Sequence, residues 1–169
     1  MLQTLNSRLF ILCFISFFLL NCKEAKTSLI TNTPKSLNGN VVYDTAELFS
    51  KIQQDSLANK IVLFEQETTN QTAILTVDSI PKDMDIMEFG KEVANSWGIG
   101  TMEKDNGLLI TISKYDRKIA INTGLGTEKT ISDYECKVII DSIMIPKFKE
   151  NKYYDGVNRA IDSLFMLWD

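Results

Sequence analysis

The chain has 169 residues, 44% hydrophobic and 24% charged, a balance that excludes a disordered or fibrous protein and describes one globular domain. Eighteen basic residues stand against 22 acidic ones, a formal net charge of −4. A surface of that sign repels phosphate backbones, so nucleic acid is not an expected partner and cations suit it better than polyanions.

The first apolar block runs from Leu9 to Leu20 behind Arg8 and ends at Asn21-Cys22. It is too short to cross a bilayer, which takes roughly 20 residues. A positive flank, a short apolar run and a polar break are the layout of a secretory signal. Leu19-Leu20-Asn21-Cys22 resembles a bacterial lipobox, with leucine three residues before the cysteine that receives lipid, although Asn21 replaces the usual Gly, Ala or Ser. The reading is therefore a signal peptide over 1–21, lipidation at Cys22, and a flexible tether over 22–40. Several acyl chains on one cysteine hold a protein to a membrane without a span, which predicts a lipid-anchored protein on the periplasmic or surface face of the cell envelope. An uncleaved anchor or a core helix is the alternative for this run. Loss of Arg8 with the signal would leave a formal charge of −5. Of the three cysteines, Cys13 leaves with the signal and Cys22 takes lipid. Cys136 then has no disulfide partner and, with no histidine in the chain, no base to activate it; it reads as a small core residue.

From residue 41 the pattern alternates between strand-like and helix-like blocks. Val41-Val42-Tyr43 is a short apolar strand. Ser50 with Gln53 forms a capping-box pair, and Leu57, Ile61 and Phe64 follow at helical spacing. Thr72–Val77 reads as a strand. Asp85 with Glu88 repeats the capping signal before Ile86, Phe89, Val93 and Trp97, and Gly98 ends that helix. Leu108–Ser113 is continuously apolar apart from Thr111 and Ser113, as in a strand covered on both faces. Lys114–Arg117 then separates it from a second strand, Lys118–Thr123, which predicts a hairpin. Ser132 with Glu135 caps a third helix carrying Ile139 and Ile143 and limited by Pro146; Val157, Ile161, Leu164 and Trp168 mark a fourth. The expected fold is a mixed, mainly four-stranded sheet flanked by about four helices.

Several short motifs fall in an order that matches a known family. Val42-Tyr43-Asp44, Trp97-Gly98-Ile99-Gly100, Lys104-Asp105-Asn106-Gly107, Asp116-Arg117-Lys118, and Thr123-Gly124-Leu125-Gly126 followed by Ile131-Ser132-Asp133 together resemble the TPM domain over about residues 41 to 168. The resemblance implies a three-layer α/β/α sandwich over 41–169, export or membrane association, divalent-cation binding in some members and phosphatase activity in others, including thylakoid ones. Two departures stand out. Thr127 takes a place usually hydrophobic, and the chain ends at Asp169 where many exported relatives continue into a membrane helix and a Gly-rich tail; lipid at Cys22 would tether this domain from the opposite end.

Asp44, Asp105, Asn106, Glu128 and Asp133 all fall in loops or at helix starts that the fold could gather into one site. Oxygen ligands without histidine or paired cysteines suit Ca²⁺ or Mg²⁺. Each residue also has an ordinary reading: Asp105-Asn106-Gly107 is a common turn, and Asp133 in a helix's first turn favours the helix dipole. Arg117, at the hairpin turn, would hold a phosphate or stand as a solvated charge. Two apparent phosphate motifs fail. Asp83-Met84-Asp85-Ile86-Met87 precedes a helix and is better explained by capping, and Gly124–Thr130 carries Glu128 where a P-loop needs glycine. Three functions follow: a cation-binding module that docks to an envelope protein, a metal-dependent phosphate-monoester hydrolase, or an interaction domain whose carboxylates serve only capping and solubility.

Overall fold

A computed structural model describes residues 40–168. The signal expected over 1–21 and, except for residue 40, the tether expected over 22–40, with Cys22, lie outside the described residues. Four strands form one sheet in the order β1-β2-β3-β4, with β1 Val42–Asp44, β2 Gln71–Val77, β3 Gly107–Ser113 and β4 Lys118–Thr123. The first three run parallel, and β4 returns antiparallel beside β3, pairing Ser113 with Lys118 across the hairpin. Every residue of β3 is buried, as its apolar run requires of a strand covered on both faces. The helices are α1 Lys51–Thr68, α2 Ile86–Trp97, α3 Asp133–Ile139, α4 Ile145–Lys149 and α5 Tyr153–Trp168.

Alternation along the strands sends two sets of side chains to two cores. Ile74, Leu108, Ile110, Ile112 and Ile121 face α1 and α5, while Ala73, Leu75, Leu109 and Ala120 face α2. This is the α/β/α sandwich. Complete burial of residues such as Leu57 and Ile61 stabilises the first core by about 1.5–3 kcal/mol each. Phe64 stacks on Phe165 with ring centroids 3.7 Å apart, and Lys60 bonds Asn158 at 2.6 Å and pairs with Asp162, joining α1 to α5. Because the parallel strands are added in one direction while α1 and α2 lie on opposite faces, the two crossovers have opposite hands, so one departs from the usual right-handed connection. Among the described residues no helix is long and apolar enough to cross a membrane.

Local signals explain most boundaries. Ser50 with Gln53 and Ser132 with Glu135 form reciprocal capping boxes. Asp85 also caps its helix, but it accepts from Met87 N, two residues on, so the bond expected at Glu88 is replaced by a tighter one. One boundary needs correction. Pro146 does not end the third helix. Residues Ile140–Met144 widen into a π turn in which Ile145 N–H reaches back to Ile140 C=O, and the helical path resumes with Pro146 in the first turn of α4, where its missing N–H is tolerated.

Candidate functional site

Strand direction divides the expected site residues between two ends of the sheet. Asp44 closes β1 and is level with Thr76, which is level with Ile112 near the end of β3. Asp105 and Asn106 precede the start of β3, beside the end of β4. At about 3.3 Å per residue the two levels are about 20 Å apart. Asp44 therefore does not join the other four, contrary to the single gathering expected from the loops.

The surroundings of Asp44 show what it does instead. Its carboxylate accepts from Leu48 N at 2.9 Å, Phe49 N at 2.8 Å, Thr76 Oγ1 at 2.5 Å and Gln54 Nε2 at 3.3 Å. It ties the loop before α1 to β2, and its lone pairs are largely committed. Asn106 is equally committed at the other end. Its Oδ1 accepts from Thr101 N at 3.0 Å, and its Nδ2 donates to Thr69 O at 2.7 Å and Asn70 Oδ1 at 3.3 Å, clamping two loops while only 4% exposed.

Asp105, Glu128 and Asp133 remain at that end. The loop after β4 packs backbone to backbone on residues 104 and 105. A Cβ on Gly124 would collide with the Asp105 carbonyl and one on Gly126 with that of Lys104, so the glycines read from the sequence serve close approach rather than phosphate binding. Gly126 N donates to Asp105 O at 3.1 Å and Glu128 N to Gly124 O at 3.0 Å. Asp105 holds a left-handed backbone with φ 47°, and Asp133 opens α3. All three residues are exposed, and their carboxylates have no hydrogen bond or ion pair among the described residues. No group of three or more Asp, Glu or Cys side chains among the described residues is arranged to hold a metal ion.

Thr127 is fully buried and donates its hydroxyl to Gly107 O at 3.0 Å, which satisfies its polar group inside the core. Cys136 is buried in the α1/α5 core. Burial pushes its thiol up to about 11, and the nearby carboxylates of Asp133, Glu135 and Glu128 add to the shift, so at neutral pH it is a protonated thiol and not a nucleophile. Gln71, which carried no signal in the sequence, links three segments: Oε1 accepts from Gly100 N at 2.7 Å and Nε2 donates to Glu65 at 3.0 Å. Arg117 lies at the hairpin turn with φ 53°, at the end of the sheet away from Asp105.

A mixed four-stranded sheet between helical layers defines an α/β/α sandwich domain. The family profile described as the TPM domain matches residues 42–167, and the chain belongs to that family. Among solved structures it is similar to the N-terminal domain of a protein from P. gingivalis, at 26% identity and a TM-score of 0.70 over 76% of this chain and 81% of that one. The BA42 protein of Bizionia argentinensis is 17% identical, with a TM-score of 0.60 over 74% of this chain and 88% of that one. The N-terminal domain of the cg2496 protein of Corynebacterium glutamicum is 12% identical, with a TM-score of 0.59 over 86% and 90%. These last two likenesses concern the fold alone. No curated protein matches the chain.

Proposed function

We propose that the protein is a binding module of the cell envelope, tethered by lipid at Cys22, whose acidic end takes Ca²⁺ or Mg²⁺ and docks to another envelope protein. The observation that carries this reading is the contrast between two kinds of acidic or amide residue. Asp44 and Asn106 spend their polar atoms inside the fold, while Asp105 and Glu128, on segments in backbone contact, and Asp133, at the start of α3, hold unengaged carboxylates. Three such groups around an ion would leave most of its coordination to water, which suits Mg²⁺ and weak Ca²⁺ sites.

The hydrolase reading would use the same residues. Cys136 is protonated and the chain has no histidine; in this reading Asp105, Glu128 and Asp133 would hold the ion, which would supply Lewis-acid activation of the ester and of water. Titration of the metal-stripped full chain with Ca²⁺ and Mg²⁺, followed by amide NMR, tests the binding step. Saturable shifts around residues 105, 128 and 133, lost in Asp105→Asn/Asp133→Asn, are expected. Absence of shifts at millimolar ion would sink the reading. Turnover of a phosphate monoester that disappears in the same variant would favour hydrolysis over docking.

A further inference from the structure

The opposite end of the hairpin carries a second site with different chemistry. A cavity of about 420 Å³ opens between the β3–β4 turn and the segment around α4, a volume within the range of small-molecule sites. Its apolar wall includes Ile119, Ile145 and Phe148, and Phe148 packs on Tyr153 with ring centroids 4.9 Å apart. Lys114, Arg117, Lys118 and Lys149 are its charged residues, Ser113 and Asn151 add neutral polar groups, and no acidic residue lines it. In a chain with 22 acidic and 18 basic residues that is a local reversal of sign.

The carboxylate of the turn is held by two hydrogen bonds within the fold and offsets part of the charge of Lys118. Asp116 accepts from Ser113 Oγ at 2.6 Å and Ile80 N at 2.8 Å, which hold its carboxyl below the usual carboxylate range. Lys114 donates to Ala46 O at 2.8 Å, a neutral acceptor. Arg117 and Lys149 have no hydrogen bond or ion pair among the described residues, although they come from separate elements and line one cavity. Four cations exceed the charge of one carboxylate. A phosphate monoester, with about −1.5 to −2 at neutral pH, balances them better.

We infer that this cavity binds a phosphate monoester carrying an aryl or short alkyl group, with phosphate held by Arg117 and Lys149 and the apolar group lying against Ile145 and Phe148. The site stands more than about 20 Å along the hairpin from Asp105 and does not depend on a cation there.

The test uses the full chain in neutral lipid nanodiscs with a chelator present, and saturation-transfer NMR on phenyl phosphate. Saturable binding is expected, about tenfold or more tighter than for inorganic phosphate or phenol, and weakened about tenfold in Arg117→Glu/Lys149→Glu. Both replaced side chains are exposed, and added salt, which should weaken binding in the unaltered chain, reads the same electrostatics without a substitution. Displacement by short-chain phosphatidate at lower concentration would assign the phosphate to a lipid headgroup, and the reverse order to a soluble ester. Phenyl phosphate binding no tighter than its two halves, or unaffected by both salt and charge reversal, would overturn the inference.

Discussion

Single residues here separate structural from available chemistry. Asp44→Asn should remove charge-assisted acceptance from two backbone amides and a hydroxyl, destabilising the domain by about 1–3 kcal/mol in chemical denaturation. It should leave any cation response at Asp105 unchanged, because Asp44 lies at the other end of the sheet. Gly90 makes a different demand. A Cβ there would overlap Asn122 Oδ1 and press on Thr111 Oγ1, so Gly90→Ala should cost about 1–3 kcal/mol despite its better helix propensity. A lower thermal midpoint than the unaltered chain is the expected reading, and a higher one would show that α2 can lift from the sheet. The sequence marked Asp44 as a motif residue but gave no sign of its partners, since Thr76 is 32 positions away and meets it only through strand pairing. Asn106 was misleading for a related reason: a loop asparagine before glycine looks exposed, yet two loops close over it.

At the scale of elements, legibility followed the range of the interaction. Ser50–Gln53 and Ser132–Glu135 are reciprocal contacts over three residues, so their helix starts could be read directly. Hydrophobic spacing likewise identified Leu57, Ile61 and Phe64, and Ile86, Phe89, Val93 and Trp97, as buried stripes. The π turn was hidden because Pro146 is an ordinary stop signal; only the Ile145–Ile140 bond, made in the helix before it, lets the path continue. The opposite hands of the two crossovers were hidden too, since periodicity shows that a helix has a buried face and not which side of the sheet receives it. The Ser132 box also gives a pH prediction. Hydrogen bonds from Ser132 N and Oγ hold the Glu135 carboxyl below its usual range, so the charged form favours the fold. That contribution is present above the unfolded-state value near 4.5 and is lost as pH falls through the lower folded-state value. The stability difference between the unaltered chain and Glu135→Ala, measured by urea unfolding, should therefore shrink with acidification below that range.

Across the whole molecule, the antiparallel return of β4 places two opposed chemistries at the ends of one hairpin. Asp105 precedes β3 and Glu128 follows β4, while Lys114, Arg117 and Lys118 surround the turn that joins them. A sequence scan sees Asp116-Arg117-Lys118 and Lys104-Asp105-Asn106 as similar mixed-charge stretches. The fold distinguishes them by what each packs against: Asp116 is drawn onto Ser113 and Ile80, leaving Arg117 beside a basic cavity, whereas Asn106 is drawn inward, leaving Asp105 outside with Glu128 and Asp133. Because these ends share no partner and lie more than about 20 Å apart, changes at them should combine independently. Asp105→Asn/Asp133→Asn should abolish cation-induced amide shifts and leave phenyl phosphate affinity within about twofold, while Arg117→Glu/Lys149→Glu should do the reverse; the chain with all four substitutions should show the sum. Screening at roughly 0.15 M salt removes most direct interaction over that distance. A cross effect much larger than twofold would mean that the fully buried β3 carries a conformational change from one end to the other, and the two sites would then act as one regulated unit.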